Sequence, residues 1–95
     1  MNSELKNNVN TERIVPDTSV IIEGLLSNKI LKNEIQTKEV IFHEAVLAEL
    51  EHQANQGKAI GFLGLDEIKR IKDLSSKHGF EISFKEVQTA AHWLA

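Results

Sequence analysis

Apolar side chains arrive along this chain in short bursts whose period switches between extended and helical. Residues 1–12 are polar, with two Asn at 7–8 and one at 10, and read as a flexible lead-in before the first apolar burst. Arg13-Ile14-Val15 is a short buried strand, and Pro16 closes it because proline has no N–H for a central ladder. Asp17, Thr18 and Ser19 come next, all favoured at helix N-caps, where their side-chain oxygens accept free first-turn N–H groups. Ile21, Ile22, Leu25, Leu26 and Ile30 then recur at helical spacing and predict one continuous helix. Asn33 to Lys38 is polar and reads as a loop. Val40-Ile41-Phe42 has the composition of a second strand. Glu44 to Gln56 carries Val46, Leu47, Leu50 and Ala54 on one helical stripe, and Gly57 suits a left-handed cap behind it. Lys58 to Gly64 reads as a turn that still buries Ile60, Phe62 and Leu63. Leu65 to Lys77 is a third helix, with Leu65, Ile68, Ile71 and Leu74 on its apolar face and Gly79 at its end. Phe80, Ile82 and Phe84 alternate with Glu81 and Ser83, as in a strand. Ser83 with Glu86 three residues on also fits a capping box, so a terminal helix is expected from about Phe84.

Strands alternating with helices predict an α/β fold, three layers with a short parallel sheet flanked by helices. At 95 residues the chain is one small domain, expected over residues 13–95 behind the lead-in. Its 41% apolar content is in the globular range, which excludes a disordered or low-complexity polymer. There is no Cys, which excludes disulfides, a thiol nucleophile and Cys-based metal sites. The net charge of −3 gives no global field for nucleic acid, so such a partner would have to meet a local basic patch or a bridging metal. No apolar run is long enough to cross a bilayer, and the polar N-terminus is unlike a signal peptide. The expected compartment is the cytoplasm.

Asp17 and Glu49 are the leading candidates for chemistry. In open parallel sheets, ligands bind beyond the carboxyl ends of the strands. Asp17 follows strand one, and Glu49 lies about two turns into the helix after strand two. If the strands are parallel neighbours, both carboxylates can approach one edge, and oxygen donors there suit Mg²⁺ or Mn²⁺. The same spacing is equally that of a plain N-cap and a solvated helix residue. At about 100° per residue Glu49 lies roughly 115° from the centre of the apolar stripe, with Glu44 and Glu51 comparably placed on the other side. Geometry alone does not select it.

The segment VPDTSVIIEGLLS resembles the opening of a PIN domain, a family of small metal-dependent nucleases. EAVLAELEHQANQGKAIGFLGLDEIKRIKDL is more specific and is similar to the PIN module of archaeal PIN–ATPase fusion proteins. The likeness covers about residues 13–84, the N-terminal two-thirds of such a domain. It implies a PIN-like fold, incomplete at the C-terminus. It also implies metal-dependent hydrolysis of single-stranded RNA, with Asp17 and Glu49 as metal ligands and Thr18 and Ser19 orienting water or phosphate. His43 stands where the family would have Pro. The family's further acidic ligands lie in its second half. No Asp follows Asp73 here, and Glu81 and Glu86 match no ligand position. A second reading follows: a non-catalytic PIN module acting in protein–protein contact, a homo-oligomer or a partner chain completing the fold.

The other patterns are bland. His43-Glu44 begins an HExxH motif, but position 47 is Leu. His43, His52, His78 and His92 read as surface or cap residues, His78 suiting a helix C-terminus. Gly57, Gly61 and Gly64 form no Walker motif, so the chain carries no nucleotide site. Lys69, Arg70, Lys72 and Lys77, with Lys58, could touch phosphates. Asp66, Glu67 and Asp73 share the helix, which therefore reads as a mixed-charge solvated face. Trp93 would stack on a base or pack against a core or partner.

Overall fold

A computed structural model describes residues 9–86. The chain order is β1 (Val9–Ile14), α1 (Thr18–Glu23), α2 (Leu25–Leu31), β2 (Ile35–His43), α3 (Glu44–Asn55), α4 (Ala59–His78) and β3 (Glu81–Lys85). The strands form one parallel sheet in the order β1-β2-β3, with Ile14 opposite Val40 and Phe42 opposite Phe84. The α/β architecture is the expected one. No helix among the described residues is long and apolar enough to cross a membrane.

The core gathers Ile21, Leu26, Ile30, Val40, Phe42, Leu50, Ile68, Ile71 and Phe80, with Ile14 and Ile82 packed against it. Removing such an aliphatic side chain from water contributes about 1.5–3 kcal/mol. Successive strand residues point to opposite faces. Ile14, Val40, Phe42 and Ile82 therefore share the face that the helices cover. The opposite face carries a polar network. Glu39 pairs with Arg13 at 3.4 Å and with Lys85 at 3.8 Å, and accepts the Ser83 hydroxyl at 2.6 Å.

Several elements differ from the sequence reading. β1 begins at Val9 and β2 at Ile35, so both strands extend into polar stretches read as lead-in and loop. Parallel pairing of Val9 with Ile35 and Thr11 with Thr37 satisfies their backbones, and solvent receives the polar side chains. The single first helix is broken in two at Gly24, which adopts φ 72°, ends α1 by donating to the Ile21 carbonyl and starts α2. The turn at Lys58 to Gly64 is helical, because α4 already starts at Ala59. Gly61 and Gly64 face α3, and a Cβ on Gly61 would run into the backbone of Ala54 and Leu50. Small residues here let two helices approach closely, a contact that looks like a loop in sequence. Gly57 and Gly79 are left-handed, as expected. Ser83 lies inside β3 and serves Glu39, so it caps no helix. The expected terminal helix, His92 and Trp93 fall mainly or wholly outside the described residues.

Glu67 is the largest local correction. Its place among Asp66 and Asp73 predicts a solvated face, yet it is fully buried. Its carboxylate accepts the Ser27 N–H at 2.8 Å, the Ser27 hydroxyl at 2.7 Å and Arg70 Nε–H at 3.3 Å. Gly24, the N-cap of α2, has no side chain to cap with, so Glu67 supplies the missing acceptor from another helix.

Candidate functional site at the carboxyl edge of the sheet

β2 and β3 end level, at His43 and Lys85, and β1 ends three residues earlier, at Ile14 opposite Val40. Ile14, Val40 and Ile82 lie side by side in the register, and three residues beyond them come Asp17, His43 and Lys85. Asp17 and His43 hold equivalent positions, each extended in backbone and each N-capping the helix that follows. Asp17 Oδ1 accepts the Val20 N–H at 3.1 Å and the Ser19 hydroxyl at 3.1 Å. His43 Nδ1 accepts the Ala45 N–H at 3.1 Å, so this histidine is the cap that the sequence suggested, in its neutral-acceptor role at that nitrogen.

Asp17, Thr18 and Ser19 are thus brought together at the mouth of β1. Asp17 and Ser19 are exposed, and Thr18 is half-buried. Glu49 rises from α3, which starts where the neighbouring strand ends. It is the sixth residue of that helix, so at about 1.5 Å per residue its backbone stands roughly 8–9 Å along the axis from the cap. It is exposed and accepts Gln53 Nε2–H at 2.6 Å. Among the described residues neither carboxylate pairs with a lysine or arginine. Asp17 Oδ2 makes no hydrogen bond there either, which leaves lone pairs open to solvent. Among the described residues no three or more His, Asp or Glu side chains converge as a metal cage. Mg²⁺ is often held by one or two protein carboxylates, with waters and substrate phosphate completing its shell. The donor chemistry fits a hard cation, supplied by Asp17 and Glu49.

Two other acids, Glu39 and Glu67, are committed within the fold. The Glu39 carboxyl lies below its ordinary pKa, chiefly because the Ser83 hydroxyl donates to it; burial opposes this, and Lys85 and Arg13 reinforce it. Glu67 is used up on Ser27 and Arg70. Sequence reasoning missed both. Glu67 could have been found from the stripe Gly64, Ile68 and Ile71, within which it falls once α4 is allowed to start early. The Glu39 network has no local sequence signal, since its members come from three strands. A further missed feature is Phe84, whose ring stacks on Phe42 with centroids 5.4 Å apart and which has Lys72 Nζ 6.0 Å from its centre.

No family profile matches the chain. It is 32% identical over 73 residues to a KH and PIN-domain containing protein of Methanocaldococcus jannaschii, covering 77% of this chain and 11% of that protein. It is also 32% identical over 62 residues to the Holliday junction branch migration ATPase PINA of Sulfolobus acidocaldarius, covering 65% of this chain and 12% of that protein. The chain therefore spans about a tenth of the length of these curated relatives. A solved domain of a functionally unknown Methanocaldococcus jannaschii protein superposes with a TM-score of 0.71 at 29% identity, covering 88% of this chain and 61% of that one.

Proposed function

From its PIN-domain relationship, which both sequence and fold now support, we propose that this chain carries part of the active site of a Mg²⁺- or Mn²⁺-dependent ribonuclease acting on single-stranded RNA. What supports the reading is that Asp17 follows β1 at the carboxyl end of the sheet and Glu49 lies on the helix that follows the adjacent parallel strand, both exposed and, among the described residues, neither paired with a lysine or arginine. A bound divalent ion would supply charge neutralisation at phosphorus and lower the pKa of water. Asp17 and Glu49 would hold that ion. Asp17 is preset for this, because its Oδ1 is fixed by Val20 N–H and Ser19 while Oδ2 stays open. The Ser19 hydroxyl, which donates to Asp17, would orient a water or a phosphate oxygen there. Thr18, next to it in the first turn, offers a second hydroxyl.

The test is incubation of the purified chain with end-labelled single-stranded RNA and Mn²⁺, beside Asp17→Asn and Glu49→Gln. Cleavage lost in both variants supports the reading. Wild-type chain with neither cleavage nor Mn²⁺ binding in a calorimetric titration overturns it.

One observation favours a second reading. Among the described residues no three potential ligand side chains converge, while Ile60, Phe62 and Leu63 stay about half exposed at the start of α4. On that reading the chain is a non-catalytic PIN module whose apolar surface meets a second copy or a partner chain. Light scattering that finds a stable oligomer, together with inactivity toward RNA, would favour it.

A further inference from the structure

Phe84 lies one residue before the end of β3, the edge strand of the sheet, opposite Phe42 in the register. Phe42 is fully buried. It backs the Phe84 ring at 5.4 Å and 26°, so Phe84 is held rigidly from behind. Yet Phe84 itself is 36% exposed, unlike the other strand aromatic it stacks on. Lys72 reaches over the ring at 6.0 Å, the outer limit of a cation–π contact. Among the described residues Lys72 has no carboxylate partner, whereas Arg13, Lys29, Lys38, Arg70 and Lys85 each have one. Its neighbours three and four positions away on α4 are Ile68, Lys69, Ser75 and Ser76, none of them acidic. Lys69, one turn before, is exposed as well. An aromatic ring stacked on one side and met on the other by a lysine with no acid three or four positions away is the pairing that binds single-stranded nucleic acid. The base stacks on the ring and the cation takes the phosphate.

Position agrees. Asp17 follows β1 and Phe84 lies in β3, so two strand spacings of about 4.8 Å separate them across the sheet. Both lie near the same carboxyl edge. A strand of RNA lying along that edge would meet both.

We propose that Phe84 and Lys72 form a nucleotide subsite, in which a base of single-stranded RNA stacks on Phe84 while Lys72 swings from the ring to the adjoining phosphate. The lysine's flexible four-carbon stem permits that exchange. The choice of RNA rests on the ribonuclease reading, but the binding itself needs no metal.

The experiment is a fluorescence-anisotropy titration of fluorescein-labelled oligoadenylate RNA with the full chain in EDTA, which removes cleavage from the readout. Phe84→Leu keeps an apolar group against Phe42 and removes the ring; it should weaken binding about tenfold or more. Phe84→Tyr keeps the ring and should bind as wild type does. Lys72→Gln should weaken binding and reduce the slope of log Kd against log salt by about 0.7. Lys38→Gln, at the amino end of the sheet, should do neither. Circular dichroism melts confirm folding of each variant. Should Phe84→Leu unfold, the Lys72→Gln salt slope decides alone. The subsite is overturned if the wild-type chain binds no RNA, if folded Phe84→Leu binds as wild type does, or if Lys72→Gln leaves the salt slope unchanged. Phe84-dependent binding without any cleavage would leave the subsite standing and sink the nuclease reading. Cleavage that is indifferent to Phe84 and Lys72 would do the reverse.

Discussion

Replacing Glu67 by Ala tests whether a buried carboxylate joins the first and second halves of this small domain. Glu67 sits on α4 with no exposed surface, and Ser27 lies in the first turn of α2. Removing the carboxylate strands the Ser27 N–H, a helix-start donor that no neighbouring side chain can satisfy, since Gly24 is the N-cap. A buried donor left without a partner costs about 1–3 kcal/mol, and bonds to a charged acceptor are each worth about 1.5–3 kcal/mol. Arg70 adds little, because its side chain is 58% exposed and its contact is long at 3.3 Å. The net expectation for Glu67→Ala is a loss of about 3 kcal/mol. In a domain of this size each kcal/mol moves the melting point by about 4–8 °C, so the shift should exceed about 10 °C. Glu67→Gln keeps one acceptor oxygen for the Ser27 N–H, and the Ser27 hydroxyl can rotate to accept from the new amide. It should cost about half as much. Ser27→Ala should cost about 1 kcal/mol, and with Glu67→Gln in a double-mutant cycle the two should couple. Urea titration followed by circular dichroism measures all of these. A Glu67→Ala loss within about 0.5 kcal/mol, the level of ordinary surface changes, would refute the assignment and return Glu67 to the solvated face.

Three further outcomes are expected. Gly61→Ala should destabilise by about 2 kcal/mol or more in the same titration, since the new Cβ meets the Ala54 backbone and lies 2.7 Å from the Leu50 carbonyl oxygen, neither of which can rotate away. Asp17→Asn should leave the melting point unchanged, because Asn caps as well as Asp, while Asp17→Ala should lose about 1 kcal/mol; loss of Mn²⁺ binding in both variants would separate the ligand role from the cap. Glu39 has a lowered folded pKa, so its contribution to stability is present above the ordinary carboxylate pKa and lost as pH falls through its own lowered value. Ser83→Ala removes the principal cause and should flatten that acid limb, with the Glu39 carboxyl resonance in a nuclear magnetic resonance titration moving to higher pKa.

What the sequence revealed was what local chemistry controls. Asp17 and Gly79 were legible as helix boundaries because a side-chain oxygen at an N-cap and a missing Cβ at a left-handed cap act within one turn. α3 and the alternation of β3 were legible from period alone. The break at Gly24 was hidden because Ile22, Leu26 and Ile30 stand four residues apart, as on one helix. The start of α4 was hidden because Gly61 and Gly64 look like turn residues until Leu50 and Ala54 are packed against them. Glu67 was hidden because its partner Ser27 lies forty residues away. At the candidate site, the junction of β1 with α1 and the identity of Asp17 as a cap could be read directly. That His43 and Lys85 lie opposite each other could not, since it depends on register between strands.

The polarity of the sheet's second face follows from handedness. Connections between parallel strands cross over in a right-handed sense. Strands laid down in the order β1, β2, β3 always move in one direction across the sheet, so both crossovers, α1–α2 and α3–α4, must lie on the same face. That face takes Ile14, Val40, Phe42 and Ile82 into the core. The other face receives no helix from these crossovers, and the strands answer with side chains that bond to one another across the sheet. Arg13 comes from β1, Glu39 from β2, and Ser83 and Lys85 from β3. Sheets covered on both faces favour near-continuous apolar strands; β3 instead alternates, which is what made it readable, while β2 buries Val40, Ile41 and Phe42 in succession. The same order explains why the candidate chemistry gathers at one edge. Each crossover helix must begin at the carboxyl end of its strand, so every strand-to-helix junction, with its capping residue and its open first turn, falls on the edge where Asp17 stands.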